Sequence, residues 1–356
     1  FCKSKCCYCD FNSHAHSNPD LKGYIKALIL EAKNRLEGLE PQTVFVGGGT
    51  PTLFPPDLLS ELLDELNSIT AFRRTSLETT MEANPESFTS AHASAIRLAG
   101  ITRVSIGVQS LQKDVLSAYG RVHNPSQARE ALQLAVDTFP RVNADLIYAF
   151  PGQSPGTWKE DLADVIGLGP QHLSCYELSY EPGTAMTSMR SAGKWRAEDP
   201  DLCEHLFKST GEQCERGGLL RYEVSNFCQA NHECLHNLAA WRSLNFVGIG
   251  AGACGSQGGV RRTNLPRPDE YQASVLAGKD PALEQIGPDA TSLVFEHLLM
   301  GLRLVNEGVS RARVQRLSGV DPWSLYGPQF IELAEEGLLD ADENSDAICA
   351  TQRGLL

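Results

Sequence analysis

Five short apolar runs recur through the first half of the chain, at residues 43–47, 76–82, 103–108, 142–149 and 172–178. Segments of helical periodicity lie around and between them, over residues 19–36, 56–66, 91–98, 126–136 and 158–166. Alternation of this kind predicts parallel strands joined by right-handed helical crossovers. The strands are too few for a closed eight-stranded ring. The expected fold class is therefore α/β, a partial, open (β/α)6 barrel.

A second feature lies upstream of the first strand. Cys2, Cys6 and Cys9 are spaced C-x3-C-x2-C within nine residues. Three thiolates on one short loop can hold three irons of a cubane and leave the fourth open to substrate, whereas a structural cluster takes four cysteines. A structural zinc site is the alternative, but it takes four ligands and paired knuckles. Cys7 is available as a fourth thiol, although adjacent cysteines rarely point at one metal. Such a loop normally follows a strand. The chain starts at Phe1 and not at methionine, so a missing first strand and missing N-terminal residues are expected.

The predicted strand ends carry the other candidates. Gly47-Gly-Gly-Thr-Pro-Thr52 offers a bare backbone edge to a ligand. Glu82-Ala-Asn-Pro-Glu86 ends the next strand and Ser105-Ile-Gly-Val-Gln-Ser110 the one after; Gly120-Arg-Val-His123 and Asn143-Ala-Asp145 follow. Each residue alone reads as a solvated surface group. At successive strand ends, where parallel barrels build their sites, they can hydrogen-bond a diol, a carboxylate and an ammonium group. Later in the chain Cys228, His232, Cys234 and His236 fall within nine residues, a set of soft ligands that suits iron, zinc or an axial heme position.

These blocks resemble the radical S-adenosylmethionine (SAM) superfamily, and within it the oxygen-independent coproporphyrinogen III oxidases and their relatives. The resemblance is carried by Cys6-Cys-Tyr-Cys-Asp-Phe11, Phe45-Val-Gly-Gly-Gly-Thr-Pro-Thr52, Arg103-Val-Ser-Ile-Gly-Val-Gln-Ser110, Asp145-Leu-Ile-Tyr148 and Gly248-Ile-Gly-Ala-Gly252. It implies a 4Fe-4S cluster on Cys2, Cys6 and Cys9, with Tyr8 beside it. It further implies a SAM pocket formed by Gly48, Gly49, Thr50, Glu82, Gln109, Arg121 and Asp145, closed by the backbone near Cys254. The oxidases of the family carry a further cysteine two residues after the third ligand; here that residue is Phe11, as in the family's heme-chaperone branch. His236-Asn-Leu-Ala-Ala-Trp241 resembles an H-N-x-x-Y-W motif of that branch, with Ala240 in place of the tyrosine, and makes His236 the heme-ligand candidate. The function implied is binding of heme and its delivery to recipient proteins such as membrane cytochromes. A flavodoxin-type reductant is implied, and a homodimer is compatible with it. The alternative is oxidative decarboxylation of coproporphyrinogen III.

Composition narrows the rest. A formal charge of -13 with no run of Lys or Arg argues against nucleic acid. No apolar stretch reaches the ~20 residues of a membrane span, and scattered cysteines in a long chain suit reduced thiols in the cytoplasm. The boundaries expected are a barrel core over 1–180, its completion and a connecting region over 181–285, and a small winged-helix-like α+β domain over 286–356. The acidic Glu332, Glu335, Glu336, Asp340, Asp342 and Glu343 of that domain would repel phosphate, so it reads as a cover or docking domain.

Overall fold

A computed structural model describes residues 1–15 and 18–356. The strands that the alternation predicts form one sheet: β1 (Thr43–Val46), β2 (Glu78–Ala83), β3 (Arg103–Gln109), β4 (Arg141–Tyr148) and β5 (His172–Glu177) pair in sequence order, all parallel. After the helix Pro200–Arg216, β6 (Leu220–Glu223) takes the far edge, and β7 (Asn226–Cys228) turns back between β5 and β6. Because β7 is antiparallel to both neighbours, β6 runs with β1–β5. Six strands thus point the same way, as in an open (β/α)6 half-barrel, with one antiparallel insertion. The two-residue link Val224-Ser225 explains it, since a parallel connection needs a crossover of a dozen or more residues.

Successive side chains of a strand point to opposite faces, and here the two faces differ in chemistry. Met81, Val104, Ile106, Val142, Ala144, Leu146 and Leu173 pack outward against Leu59, Leu63, Ile96, Leu132 and Leu162 of the covering helices. The intervening positions, among them Glu82, Ser105, Asn143, Asp145 and Ser174, face inward and are polar. The crossover helices begin where local chemistry dictates. Asn124 and Gln127 form a reciprocal capping box, and Ser154 and Asp199 cap helices whose first residue is proline.

Two smaller units follow. β8 (Cys254–Gln257), β9 (Val260–Asn264) and β10 (Ala282–Ile286) form an antiparallel sheet. The helices Ala290–Gly301, Arg311–Ser318 and Pro322–Glu335 pack on β11 (Val309–Ser310), β12 (Leu339–Ala341) and β13 (Ala347–Ala350) around a separate core of Val294, Leu298, Val314, Phe330 and Ile348. This second core is tied to the barrel edge by Arg303 Nη2, which donates to Glu223 at 3.1 Å, and by the Val224 amide, which donates to the Arg303 carbonyl at 3.1 Å.

Glu31 joins the first helix, Leu21–Leu36, to the β8–β9 region. It is 2% exposed and accepts from Arg35 at 2.9 Å, Asn264 at 2.8 Å, the Gly250 amide at 2.9 Å and the Tyr271 hydroxyl at 2.6 Å. A buried carboxylate stripped of partners is costly, and so are partners stripped of their carboxylate. We expect Glu31→Ala to cost about 3–5 kcal/mol, read as a Tm lower by roughly 10 °C in thermal denaturation. Glu31→Gln should lose less; equal Tm values for all three proteins would refute this role.

Candidate functional site

The cysteine loop is held from outside, since a short irregular loop has no ladder of its own. The Cys2 amide donates to the His14 carbonyl at 2.9 Å, the Thr50 amide to the Phe1 carbonyl at 2.8 Å, and the Cys7 amide to the Tyr119 carbonyl at 3.1 Å. Asn12 Nδ2 donates to the Ala251 and Pro266 carbonyls at 3.1 and 2.8 Å. That contact explains Gly252: a Cβ there would sit 2.2 Å from Asn12 Nδ2, and its φ of +66° suits glycine. Cys7 turns away from its neighbours. Its Sγ faces the Ala118 carbonyl at 3.1 Å, and burial pushes its thiol up to about 11.

Cys2, Cys6 and Cys9 each meet a different partner. The Thr50 hydroxyl donates to Cys2 Sγ at 3.5 Å, Arg121 Nη1 donates to Cys6 Sγ at 3.6 Å, and Cys9 Sγ lies 3.8 Å from the Ser13 hydroxyl. Asn84 connects the first two: its Nδ2 donates to Thr50 Oγ1 at 2.7 Å and its Oδ1 accepts from Arg121 Nη2 at 2.7 Å. Arg121 also donates to the Gly107 carbonyl at 2.7 Å. A Cβ on Gly107 would lie 2.8 to 3.2 Å from Asn84 Oδ1, Gln109 Nε2 and Arg121 Nη2, so a bare backbone is required where these side chains gather. Among the described residues no three His, Cys, Asp or Glu side chains group around a single metal ion. A cubane takes one thiolate per iron, so its cysteines stand around it and do not meet at one point.

The inward face of the sheet leads away from this loop. Glu82 accepts from the Gly48 amide at 3.0 Å. Burial, with the charge of Asp145 adding to it and the Gly48 hydrogen bond opposing it, pushes the Glu82 carboxyl up to about 7. Asp145 accepts from Ser105 Oγ and Asn143 Nδ2, both at 2.8 Å. Burial raises its carboxyl despite those hydrogen bonds. Tyr8 packs edge-on against Tyr119, with centroids 4.9 Å apart, and its hydroxyl lies beside Cys6 and Arg121. Two carboxylates, one guanidinium, an amide and a glycine edge therefore line the mouth at the C-terminal ends of the strands. They can grip an ammonium, a diol and a carboxylate together.

The opposite end of the lumen is closed by a network that joins this one through Asn143. Glu78 takes a hydrogen bond from the buried Cys234 thiol at 3.4 Å and lies 3.8 and 3.7 Å from Arg103 and Arg141. His172 bridges Asn143 and the Tyr222 hydroxyl at 2.6 and 2.9 Å. His236, on the helix Leu235–Trp241, has Nδ1 at 3.0 Å from the Thr43 hydroxyl and stacks on Phe45 at 4.9 Å. Burial lowers its pKa, which keeps the ring neutral. Cys228, His232, Cys234 and His236 do not gather into a shared metal site as their spacing suggests. Cys228 is buried on β7, and Cys234 is taken up by Glu78. Cys254 is exposed at the start of β8, with Sγ 3.7 Å from Thr263 Oγ1, and none of its hydrogen bonds reaches Glu82 or Asp145.

Sequence reasoning named Tyr8, Thr50, Glu82, Gln109, Arg121 and Asp145, and the fold gathers them. It gave no role to Asn84, Ser105 and Asn143 within the strand-end blocks that contain them, and it did not name Ser174; their only signal is inward-facing parity on a parallel strand or its end. The Glu82 shift carries a pH signature. A carboxyl raised from its ordinary value to about 7 binds a proton more tightly in the folded state. Its contribution to stability is greatest below the unfolded value and falls as pH rises towards 7. The Tm of the wild type should therefore drop more between pH 5 and 7.5 than that of Glu82→Gln. Parallel Tm–pH curves would exclude the shift.

The Radical SAM superfamily matches residues 1–165, and the HemN C-terminal domain matches residues 289–356. The heme chaperone HemW of Mycobacterium tuberculosis (strain ATCC 25618 / H37Rv) is 35% identical over 370 residues, spanning 100% of this chain and 90% of that protein. The heme chaperone HemW of Escherichia coli (strain K12) is 33% identical over 371 residues, spanning 100% and 93%. Among solved structures, the coproporphyrinogen III oxidase HemN of Escherichia coli superposes with a TM-score of 0.82 at 20% identity, over 99% of this chain and 85% of that one, a likeness of fold. With such identity along its whole length, and with a superfamily match over the cysteine loop and the strands β1–β4 that implies a 4Fe-4S cluster and SAM, this chain belongs to the HemW family of radical SAM proteins.

Proposed function

We propose that this protein is a heme chaperone that carries a 4Fe-4S cluster and SAM at the cysteine-loop mouth of its half-barrel and delivers heme to recipient heme proteins, membrane cytochromes among them. The observation that carries this reading is the full-length similarity to proteins named heme chaperone HemW, combined with Phe11 where the family's oxidases place a further cysteine. Cys2, Cys6 and Cys9 would hold the cluster. Gly48, Gly49 and Thr50 would hold the amino group of SAM, and Tyr8, Glu82, Gln109, Arg121 and Asp145 would complete its pocket, with the backbone near Cys254 closing it. When bound, the cluster and SAM supply one-electron chemistry. The donor set fits them: three free thiols, two of which already accept hydrogen bonds from Thr50 and Arg121. Hydrogen bonds to sulfur stabilise the thiolate and tune a cluster's potential. The domains would divide as 1–180 for the core, 181–285 for its completion and 286–356 for the cover.

His236 is the heme-ligand candidate. An axial imidazole must be neutral and offer one nitrogen, and here Thr43 engages Nδ1 while burial keeps the ring uncharged. The imidazole stack on Phe45 would fix the ring plane. Oxidative decarboxylation of coproporphyrinogen III is the competing reading, favoured by the fold likeness to HemN alone.

Anaerobic reconstitution followed by hemin titration separates the two. Stoichiometric heme with a Soret band, no turnover of coproporphyrinogen III, and loss of the band in His236→Ala are the expected results. Turnover to protoporphyrinogen IX would replace this function with the oxidase. Loss of the Asn84 bridge should be visible without any substrate. In reconstituted Asn84→Ala the donors to Cys2 and Cys6 are no longer held, and the cluster potential should fall by roughly tens of millivolts. An unchanged potential would deny Asn84 that role.

A further inference from the structure

Two residues of the strand-end blocks, Glu86 and His123, have no part in the site as described, yet both stand beside Arg121. The turn after β2 presents Asn84 and Glu86, and the loop Gly120-Arg-Val-His123 presents Arg121 and His123. Asn84 Oδ1 accepts from Arg121 Nη2 at 2.7 Å, and His123 Nδ1 lies 3.4 Å from Glu86 Oε2. The end of β3 holds both residues of the loop. The Gly107 carbonyl accepts from Arg121 at 2.7 Å, and the Val108 carbonyl lies 3.2 Å from His123 Nε2. A carbonyl only accepts, so Nε2 must carry hydrogen. A neutral His123 then turns a bare Nδ1 lone pair towards a carboxylate oxygen. Both atoms are buried, and neither makes a hydrogen bond to any described residue. One added proton on Nδ1 would satisfy the two together.

The surroundings make that proton consequential. The His123 side chain is 0% exposed and that of Glu86 is 8% exposed, so their charges are weakly screened. Burial would raise the Glu86 carboxyl, but the His123 contact, its own backbone amide and the charge of Arg121 outweigh it and hold the group below its ordinary value. The titratable groups that act on Glu86 are Arg121 and His123, and those that act on Arg121 are Tyr8, Cys6 and Glu86. Arg121 Nη1 donates to Cys6 Sγ at 3.6 Å. With the proton in place the Glu86–His123 pair is neutral, and the Arg121 cation faces Cys6 unopposed. Without it the pair carries a negative charge that offsets Arg121. A cluster's potential follows the charge and hydrogen bonds around its sulfurs.

We infer that Glu86 and His123 are positioning residues that hold one exchangeable proton beside Arg121, and that this proton sets how strongly Arg121 favours electron uptake at the Cys6 corner of the cluster. This rests on the cluster reading above. The step balances. An external one-electron reductant, dithionite in the experiment below, gives one electron, and His123 takes one proton from solvent by way of Glu86, the more exposed of the two. The Nδ1–H bond forms and no other bond is made or broken.

The test is a dithionite redox titration of the reconstituted protein, followed by electron paramagnetic resonance, between pH 6 and pH 9. The wild-type potential should fall across this range by about tenfold in the reduction equilibrium constant, or ~59 mV for one electron. Glutamine at either position can make the missing hydrogen bond without the proton, so each variant should lose the slope. Glu86→Gln should stay near the high, acid-side potential and His123→Gln near the low, alkaline one. Packing damage alone would move both variants the same way, so shifts of one sign, or a slope kept in both, would overturn the proposal. Where a variant does not fold, a wild-type potential independent of pH does so by itself. A second readout needs no cluster. In the cluster-free protein the His123 imidazole, assigned in nuclear magnetic resonance spectra with His123→Gln, should lose its proton at lower pH in Glu86→Gln than in the wild type; an unchanged titration would also overturn the proposal. A wild type that takes up no cluster overturns the reading beneath, and the imidazole titration tells that result apart from failure of the pair.

Discussion

Everything at this site depends on a sheet whose inner face is polar. Parallel strands covered by helices on one side bury apolar side chains there, and a half-barrel leaves the other side to enclose a lumen. Polar groups in such a space must find one another, since an unpaired one costs a full desolvation penalty. Asn143 shows how this is met. Its Nδ2 donates to Ser105 and to Ser174 at 2.7 and 3.0 Å as well as to Asp145, and its Oδ1 takes His172 at 2.6 Å. Three strands, β3, β4 and β5, are thereby locked in relative register from within. Asp145 is held by this network and Glu82 by the Gly48 amide, so binding there begins from fixed groups and little ordering entropy remains to be lost.

The cysteine loop depends on this frame. It has few internal hydrogen bonds, and its geometry comes from Thr50, Tyr119, Asn12 and the Gly248–Gly252 turn that Glu31 anchors. Thr50, Asn84 and Arg121 then span three crossover units to reach two of the thiols. A change at any link moves a sulfur ligand without touching a cysteine.

Much of this is legible in the residues, and the limits are physical. The parity of Arg103-Val-Ser-Ile-Gly-Val-Gln109 displays the two faces of β3 directly, and Asn143-Ala-Asp-Leu146 does so for β4. The cysteine spacing and the strand-end residues point to the mouth for the same reason. The antiparallel β7 is invisible to such reasoning, because three residues carry too little periodicity and its place is set by a tight turn. The Cys228–His236 cluster misleads because proximity in sequence does not make side chains converge. Once β7 and the helix Leu235–Trp241 diverge, Cys228 and His236 belong to different surroundings. Asn84 escapes notice because nothing in an Asn-Pro step signals a bridge between distant units.

The two ends of the lumen also bear on the two readings of function. Thr43, which engages His236, opens β1, and Gly47 follows its last residue. At ~3.3 Å per residue the imidazole and the glycine edge are separated by about 13 Å along the strand. Between them lie inward-facing groups that already bond one another. A porphyrin whose propionates were to react would have to lie at the cysteine-loop mouth, within contact of the SAM pocket. A heme iron held by His236 would lie at the other end, beside Glu78 and Cys234 and close to the Trp241–Arg303 stack that joins barrel to C-terminal unit. Hydrogen abstraction demands contact, whereas carriage and release do not. Ligation by His236, as proposed, would thus sit naturally with a carrier and poorly with an oxidase.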